Sequence, residues 1–459
     1  MKDIPIIKTF CYKDNYYVYD TFTNRLLFVK KDLFVEINEL MGRGIAEYIS
    51  LKKDTQAYKD VILLIDKGMF KPSFIENIEH PQLKQLPLLI DRLISGITLQ
   101  VTQKCNFSCR YCVISLDNQF VRNHTDANMS WETAKKSIEF LYKHSKDASS
   151  VTIAFYGGEP MLNFGLIKKV TEYCQERFFT KRIRYMMTIN GSTLTEEMIR
   201  FLSRYDIDIA ISLDGPPHIQ NKHRKYGTNG ADTFDMVYSN ISLMRKIDED
   251  YYNEHVKFIP VVFRDENYQE IIDFYKTIGK SEDYIHKLDV SLNGVDYLYS
   301  EDLDFSLKEY SGYDINKMDT KFLNIYNSKM EIPNIWHHNG PCIPLERILI
   351  DIQGNINMCE KIEFLRIGDI FNGFDLKLLN DYVNIGKISE QECKTCWAMR
   401  FCNICVMHCI DLKSHTLSRE RKLSNCSRTK LDVLSFFKRS LISNEDKKEK
   451  CSTSKTVET

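Results

Sequence analysis

The stretch that decides the fold is CNFSCRYC, residues 105–112, in which three cysteines follow a C-x3-C-x2-C spacing. Three thiolates this close in sequence can hold three irons of a four-iron cluster. Such clusters are usually held by four cysteines, so a triplet leaves one iron open to a small molecule, as catalytic metal sites keep a free position. A zinc site is the alternative, but no second pair of Cys or His follows nearby at the spacing typical of zinc. We therefore favour a cluster.

The residues around this stretch alternate between strand and helix patterns. Strings that are typical of strands occur at 97–103, 151–160, 183–191, 208–217, 255–263 and 287–294. Amphipathic helical patterns lie between them. Strands that alternate with helices predict a parallel sheet with right-handed crossovers. We expect an α/β fold in which residues 96–325 curl into a partial (β/α)6 barrel.

Glycine-rich and polar motifs end several of these strands. The cysteine triplet follows the first strand, the string Gly157–Pro160 (GGEP) ends the second, and the Leu213–Gly215 turn (LDG) ends the fourth. In barrels of this type, loops at the C-terminal ends of the strands build the active site. The three motifs should therefore meet at one rim of the barrel.

Together these motifs resemble the signature of the radical SAM superfamily. The triplet includes an aromatic residue, Tyr111, beside its last cysteine, and Gly157–Pro160 stands where that family keeps its methionine-amino-group motif. A second cysteine field, residues 342–426, resembles the SPASM extension, which carries two further [4Fe-4S] clusters. The resemblance covers roughly residues 95–430 and implies an oxidoreductase that uses S-adenosyl-L-methionine.

The resemblance assigns roles at the first site. Cys105, Cys109 and Cys112 are the expected ligands of a [4Fe-4S] cluster that binds S-adenosylmethionine through its open iron. Reduction of the cofactor would release a 5′-deoxyadenosyl radical. Gly157 and Gly158 would let the backbone approach the methionine amino group, because neither has a Cβ.

Further cofactor contacts follow from the same resemblance. Glu159 would accept a charge-assisted hydrogen bond from the methionine ammonium. Ser212 and Arg224 match positions at which relatives touch the methionine carboxylate and the ribose, and the planar fork of Arg suits a carboxylate. Asn190 in the TING turn and Tyr111 beside the cluster are additional cofactor-binding candidates.

The second cysteine field implies two auxiliary clusters. By resemblance, one cluster is closed completely by four cysteines: Cys393, Cys396, Cys402 and Cys426. Cys342 and Cys359, with Gly354 between them, would share the other cluster with a cysteine of the 402–409 run. A pair of zinc knuckles is the alternative reading of the whole field.

The field departs from the usual pattern after Cys402. The family commonly places the next cysteine after three residues, whereas here Cys405 follows after two and Cys409 comes later. Either Cys409 supplies the missing ligand or this cluster keeps an open iron, which could bind and deprotonate a substrate thiol. Glu360 follows Cys359 directly, where sulfatase-maturing relatives carry an Asp as proton acceptor, and Glu could also serve as a general base.

The ends of the chain differ from its middle. Residues 1–80 contain short strand patterns followed by two amphipathic helical patterns. They resemble the winged-helix-like peptide-recognition domain of peptide-modifying enzymes, although a structural appendage would look the same. An extended leader peptide could add to an exposed sheet edge there. Residues 335–432 form the expected SPASM domain, and residues 444–459 are polar enough to predict disorder.

Composition limits the class of protein. The net charge is −1, from 62 basic and 63 acidic residues, so no global field attracts nucleic acid or an anionic membrane. Of the 14 cysteines, 11 lie in the two motif fields, which is typical of metal binding in a reducing compartment. No signal peptide or membrane-spanning stretch is evident, so we expect a cytoplasmic protein.

The sequence thus predicts a radical SAM peptide maturase. The N-terminal block, the two auxiliary sites and the CWA string at 396–398 favour thioether crosslinks from Cys thiols to backbone or side-chain carbons of a ribosomally made, Cys-rich precursor peptide with a leader. A flavodoxin or ferredoxin would donate electrons. The alternatives are a sulfatase-maturing, formylglycine-generating enzyme, a peptide epimerase and, from another class, a non-catalytic zinc-binding protein.

Overall fold

The computed structural model describes residues 3–72, 75–80, 83–112, 124–227, 229–262, 266–279, 291–292, 335–336, 347–359, 365–402, 404–411, 414 and 416–453. Its strands are β1 (Ile7–Tyr12), β2 (Asn15–Asp20), β3 (Arg25–Val29), β4 (Asn77–Ile78), β5 (Gly96–Thr102), β6 (Phe107–Cys109), β7 (Ser150–Gly157), β8 (Arg182–Ile189), β9 (Asp208–Ile211), β10 (Arg224–Tyr226), β11 (Val256–Phe258), β12 (Val261–Val262), β13 (Ser291–Leu292), β14 (Ile335–Trp336), β15 (Ile348–Ile350), β16 (Asn355–Asn357), β17 (Arg366–Asp369), β18 (Gly373–Phe374), β19 (Ile410–Asp411) and β20 (Thr416–Leu417). Its α-helices are α1 (Lys31–Arg43), α2 (Ile45–Ser50), α3 (Gln56–Asp66), α4 (Leu86–Arg92), α5 (Trp131–His144), α6 (Phe164–Arg177), α7 (Glu196–Arg204), α8 (Pro217–His223), α9 (Phe234–Ile247), α10 (Glu249–His255), α11 (Tyr268–Thr277), α12 (Leu376–Val383), α13 (Glu390–Lys394), α14 (Arg419–Ser424) and α15 (Cys426–Thr453).

The N-terminal unit is an antiparallel sheet in the order β1-β2-β3, followed by α1–α3. Lys13 and Asp14 have φ values of 47° and 61°, the left-handed conformation that a two-residue hairpin turn needs. The first predicted helix is broken between α1 and α2 at Gly44, whose φ of 89° is not helical. The unit thus has strands followed by helices, as expected, while its winged-helix character stays a prediction.

Both faces of this small sheet are covered, because side chains alternate along each strand. Ile7, Val18 and Val29 pack into a core with α1–α3. On the opposite face, Phe10, Tyr17 and Tyr19 pack with residues of the C-terminal cysteine region and α15. The N-terminal unit therefore contacts the second cysteine field directly.

The central sheet is built as the sequence predicts. Strands β5, β7, β8, β9 and β11 are parallel neighbours in the spatial order β11-β9-β8-β7-β5. Every residue of β5 is buried, as expected for a parallel strand with helices on its faces. Five of the six predicted barrel strands thus lie in one sheet, and α5, α6, α7 and α9 contribute buried apolar residues to its core.

The fifth and sixth strands differ from their predicted extents. The string at 255–263 was expected to be one strand, but it is split into β11 and β12 around Pro260, which has no N–H for a sheet hydrogen bond. Of the sixth string, β13 pairs in parallel with β12. The remaining residues of that string lie outside the described part of the chain.

The C-terminal region extends the same sheet. Strand β15 runs parallel to β5, with Ile348 opposite Ile97, and β16, β17 and β18 continue antiparallel from it. The predicted boundary between a barrel at 96–325 and a SPASM domain at 335–432 is therefore crossed by one continuous sheet. The first cysteine loop and the second cysteine field are attached to a common scaffold.

The chain's last helix is longer than expected. Helix α15 runs to Thr453, whereas the polar composition predicts disorder from 444. Glu and Lys are good helix formers, which accounts for helix in a segment that has few apolar groups. Among the helices that the structure describes, none is long and apolar enough to span a membrane.

Candidate active site

The cysteine loop begins directly after β5. Cys105, Cys109 and Cys112 are each partly buried, and the charges of Cys109 and Cys112 act on the Cys105 thiol. Burial raises the pKa of Cys105 to about 12 and that of Cys109 to about 11. Burial therefore favours the thiol form of Cys105 and Cys109, and a bound cation would favour their thiolate form.

The end of β7 is bonded to this loop. The backbone N–H of Gly158 donates to Thr102 O at 3.2 Å, and that of Glu159 donates to Lys104 O at 2.7 Å. A Cβ on Gly157 would overlap Thr102 O, and one on Gly158 would overlap the backbone of Lys104 and Cys105. Both glycines are thus required by the close approach of two protein backbones, whereas the sequence suggested an approach to the cofactor.

Glu159 is buried between the ends of β7 and β8. One carboxylate oxygen accepts from Met161 N at 3.1 Å, and the other accepts from Asn190 N at 2.6 Å. Burial raises the pKa of this carboxyl to about 7, which the two backbone donors oppose. Each oxygen keeps a further lone pair, so these contacts leave room for the predicted bond to an ammonium.

Asn190 belongs to a polar network beside the first cysteine. Its Nδ2 donates to Asn106 Oδ1 at 2.8 Å, and its Oδ1 accepts from the Ser192 hydroxyl at 2.7 Å. Asn106 Nδ2 donates back to Ser192 Oγ at 2.8 Å. The end of β8 is thereby attached to the residue that follows Cys105. Asn106 and Ser192 were not singled out from the sequence.

Arg224 is placed beside the cluster-binding loop by the pairing of β10 with β6, in which it lies opposite Cys109. Its buried guanidinium makes a two-pronged ion pair with Asp214, at 2.9 and 3.1 Å. Asp214 also accepts from the Tyr111 hydroxyl at 2.8 Å, and Arg224 Nη1 lies 4.0 Å from Cys109 Sγ. Arg224 is therefore directed at Asp214, Tyr111 and Cys109, so its predicted contact with the cofactor stays a prediction.

Ser212 lies at the C-terminal end of β9 and is partly exposed. Its backbone N–H donates to Ile189 O at 2.8 Å, which fixes the main chain at the rim. The predicted triplet, Gly157–Pro160 and LDG motifs are thus linked by hydrogen bonds at one end of the sheet. The three motifs were expected to meet at one rim, because each follows the C-terminal end of a parallel strand.

The second field brings four cysteines together. The pKa of the Cys402 thiol is raised to about 12, first by burial and then by the charges of Cys396, Cys393 and Cys426. Cys393 and Cys426 also act on Cys396. These four residues are the ones that the resemblance assigns to one fully closed cluster. Their role as ligands stays a prediction.

Cys405 and Cys409 form a separate pair near the first four. The Cys405 thiol lies 3.4 Å from His408 Nδ1, and the Cys409 thiol donates to Cys405 O at 3.4 Å. Cys359 follows β16, after the hairpin turn in which Gly354 has a φ of 90°. Cys342 and Glu360 lie outside the described residues, so the other auxiliary site and the general base stay predictions.

The region that contains the cysteine loop matches a known protein family. Residues 99–278 match the family model of the radical SAM superfamily. The chain carries a radical SAM domain. It is 24% identical over 260 residues to the radical SAM cyclopropyl synthase TigE of Paramaledivibacter caminithermalis, covering 53% of this chain and 49% of that protein. It is also 24% identical over 353 residues to a cysteine-type anaerobic sulfatase-maturating enzyme of Clostridium perfringens, covering 72% and 90%.

A solved structure shares the fold of this chain. The structure of native anSMEcpe with bound AdoMet has a TM-score of 0.50 and 20% identity, covering 73% of this chain and 95% of that one. The chain spans about half the length of two curated relatives, 46% of an uncharacterized Methanocaldococcus jannaschii protein and 49% of TigE.

Backbone N–H groups partly oppose the effect of burial on the pKa of three thiols. Cys105, Cys396 and Cys402 each accept a hydrogen bond from the backbone N–H two residues later, of Phe107, Ala398 and Ile404. N–H donors around sulfur favour the anionic form and tune iron–sulfur centres. Across the described ranges, no three His, Cys, Asp or Glu side chains converge on one point as ligands of a single ion would.

His124 is a neighbour of the radical site that the sequence analysis missed. Its Nδ1 lies 3.0 Å from Gln103 O, and its Nε2 lies 3.9 Å from Cys112 Sγ. Because a carbonyl oxygen can only accept, Nδ1 carries a proton and Nε2 faces the sulfur. A lone histidine 12 residues after Cys112 carries no sequence signal for this contact.

Proposed function

We propose that this radical SAM enzyme matures a ribosomally made, Cys-rich precursor peptide by forming thioether crosslinks. The observation that carries the proposal is the direct packing of the N-terminal sheet on the second cysteine field. Tyr19 lies 4.9 Å from Phe437 and 5.7 Å from Phe401, measured between ring centroids. The N-terminal sheet that would bind the peptide is thus packed against the cysteine region that would bind a metal cluster.

The radical site is assigned to the motifs at the rim. Cys105, Cys109 and Cys112 would hold a [4Fe-4S] cluster, with Ser212 and Glu159 beside the S-adenosylmethionine site. When bound, the cluster would supply the electron, and S-adenosylmethionine would supply the 5′-deoxyadenosyl group that abstracts a hydrogen atom. The chain's own contribution is positional, because the bond from Glu159 N to Lys104 O fixes the loop against β7.

Two auxiliary [4Fe-4S] sites are part of the proposal. Cys393, Cys396, Cys402 and Cys426 would hold one cluster. Cys342, Cys359 and a cysteine of the Cys405–Cys409 pair would hold the other. His408 lies against the Cys405 thiol, which makes Cys409 the better candidate ligand of the pair. The described cysteines are free thiols, which supports a reducing compartment such as the cytoplasm.

Peptide capture is assigned to the edge of the N-terminal sheet. Strand β3 pairs only with β2 within the described sheet, so its other edge has backbone groups available to a further strand. Phe28 on this strand is 69% exposed, which is unusual for a large aromatic side chain. An extended leader could add to β3, with main-chain hydrogen bonds for affinity and Phe28 as an apolar contact.

The proposed reaction balances with one electron donor and one acceptor. Joining a carbon and a thiol sulfur removes two hydrogens from the peptide. One leaves as a hydrogen atom and is kept by 5′-deoxyadenosine, and the other leaves as a proton. A flavodoxin or ferredoxin would give the electron that cleaves S-adenosylmethionine, and an oxidised acceptor would take the remaining electron.

The test is anaerobic incubation of the reconstituted full chain with a Cys-rich precursor encoded near it, S-adenosylmethionine and reductant. Mass spectrometry should show the loss of two hydrogens per crosslink and the loss of one alkylatable thiol. Uncoupled 5′-deoxyadenosine formation with an unchanged peptide would contradict the proposal. A product whose mass is unchanged in H2O but increases in D2O through uptake of a carbon-bound deuterium would indicate epimerisation instead.

Sulfatase maturation is a second candidate, because the alignment to the Clostridium perfringens sulfatase-maturating enzyme spans 72% of this chain. It predicts that a peptide with a sulfatase-type Cys or Ser is oxidised to formylglycine, which is detected as a hydrazide-reactive aldehyde. Formation of that aldehyde at a rate above that of crosslinking would favour this candidate over the first.

A further inference from the structure

Lys422 occupies an unusual place in the second cysteine field. It lies on α14, a short helix of charged residues, yet its side chain is completely buried. Its Nζ donates to Ile385 O at 2.8 Å and to Cys393 Sγ at 3.7 Å. Lysine is almost never fully buried unless it is paired with a negative group.

The described partners of Lys422 carry no negative charge if Cys393 is a thiol. Within the described residues, none of the recorded ion pairs includes Lys422. A carbonyl oxygen offers only a dipole, and burying an ammonium without a counter-charge is expensive. A negatively charged group bound at the Cys393 sulfur would compensate the buried ammonium.

A second buried polar group contacts the same sulfur. The hydroxyl of Ser389, which is 2% exposed, lies 3.2 Å from Cys393 Sγ. A thiol is a weak acceptor, whereas a metal-bound thiolate accepts several hydrogen bonds. A buried ammonium and a buried hydroxyl thus contact one of the four grouped cysteines, and the hydroxyl can donate to the sulfur when that sulfur is a metal-bound thiolate.

Lys422 is also attached to another member of that group. It precedes Cys426 by one helical turn, and its backbone carbonyl lies 3.6 Å from Cys426 Sγ. Its side chain therefore reaches Cys393 while its main chain contacts Cys426. One residue links two predicted ligands that are 33 positions apart in sequence.

We propose that Lys422 is a positioning residue of an anionic iron–sulfur site formed by Cys393, Cys396, Cys402 and Cys426. Its ammonium donates to the Cys393 sulfur and offsets the negative charge of the thiolate-bound group. Hydrogen bonds to sulfur and nearby charge set the reduction potential of such sites. This inference rests on the proposed iron–sulfur nature of the second field and assigns it a specific cation.

The test uses the full chain with Cys105, Cys109 and Cys112 all replaced by Ala, so that only the second field contributes iron–sulfur signals. Lys422→Met is compared with Lys430→Met, because Lys430 acts on Cys396 and Cys426 through its charge and is partly exposed. Iron and sulfide per chain are measured after anaerobic reconstitution, followed by a redox titration monitored by electron paramagnetic resonance.

Lys422→Met should shift one midpoint potential to a more negative value, or lower iron content by one cluster. Lys430→Met should shift that midpoint potential less. Lys422→Arg, which keeps the positive charge, should show a smaller shift or a smaller loss of iron than Lys422→Met. An unchanged potential with full iron content in Lys422→Met would overturn the inference while leaving the proposed function standing. If the parent with Lys422 intact takes up no iron and sulfide, the auxiliary-site proposal fails as well.

A second experiment uses the same triple-Ala chain without metal. It distinguishes whether Lys422 compensates the charge of a bound cluster or only stabilises the fold by its packing. Without a metal group, Lys422 is a buried cation without compensation, so Lys422→Met should leave the melting temperature unchanged or raise it. A lower melting temperature of metal-free Lys422→Met would mean that Lys422 only anchors the Ile385 carbonyl, which contradicts the inference.

Discussion

The backbone N–H of Glu159 donates to the carbonyl oxygen of Lys104 at 2.7 Å, so the end of β7 is bonded to the residue that precedes the first cysteine. This bond is possible because Gly158 has no side chain at the point of contact. The position of the cysteine loop therefore depends on the Gly-Gly-Glu string even in the absence of cofactor.

Replacing Gly158 tests this dependence. In Gly158→Ala the Cβ would overlap the backbone of Lys104 and Cys105, and forced overlap typically costs about 1–3 kcal/mol. We expect displaced cysteines, lower iron content at the first site and at least about a tenfold loss of S-adenosylmethionine cleavage, which corresponds to 1.4 kcal/mol. Gly165→Ala is the matched control, since its Cβ would meet nothing within 4 Å. Equal iron content in the two variants would contradict the account.

Glu159 predicts a pH dependence of stability in the metal-free protein. Its pKa is raised from 4.5 to about 7 by burial, so the folded state binds the proton more tightly than the unfolded state. Stability should therefore fall as pH rises from about 4.5 to about 7, by at most about 3 kcal/mol. Denaturant unfolding across this range measures it. Glu159→Gln should flatten the dependence, and an equally steep fall in that variant would exclude Glu159 as its source.

The Asp214–Arg224 pair should be important for stability. Both side chains are buried, and removing one partner of a buried pair leaves an uncompensated charge at a cost of about 3–5 kcal/mol. Asp214→Asn should therefore lower the unfolding midpoint strongly.

A neighbouring surface pair provides the control for Asp214→Asn. Lys225 and Asp232 form an exposed ion pair, which is worth about 0–1 kcal/mol. Asp232→Asn should thus change the unfolding midpoint little. Similar losses in the two variants would show that the Arg224 environment is more solvated than its burial indicates.

Phe437 should hold the N-terminal unit on the second cysteine field. Its ring contacts Phe10, Tyr19 and Phe401, and removing a buried Phe typically costs about 3–5 kcal/mol. Phe437→Ala should speed proteolysis and hydrogen exchange of β1–β3 and weaken binding of the precursor. Leu431→Ala on the same helix, at a side chain 63% exposed, should not. Unchanged exchange in Phe437→Ala would mean that other contacts hold the unit.

Much of the fold could be predicted from local patterns. The alternation of strands and helices gives the parallel strands β5, β7, β8 and β9, and the C-terminal strand ends bring the cysteine triplet and the GGEP string together. These features depend on short-range periodicity and on the handedness of crossovers. The pairing of β15 with β5 was not predicted, because a three-residue apolar string does not indicate its partner 251 positions earlier in the sequence.

The candidate site could be predicted where a sequence motif marks its residues. It could not be predicted where a residue's role depends on which side chains are buried together. Cysteine spacing indicates the ligands, but Arg224 was expected at the cofactor because the sequence does not show that Asp214 faces it. Lys422 lies in the charged string at 419–422, which resembles a solvated helix face. Only the packing of α14 shows which of these charges is buried.

The most direct measurement is 5′-deoxyadenosine formation by the anaerobically reconstituted full chain with S-adenosylmethionine and reductant. The account predicts that the wild-type chain forms it and that replacing Cys105, Cys109 and Cys112 together by Ala abolishes it, while iron in the second field remains. Formation at an undiminished rate after that replacement, or none by an iron-loaded wild-type chain, would contradict the central claim.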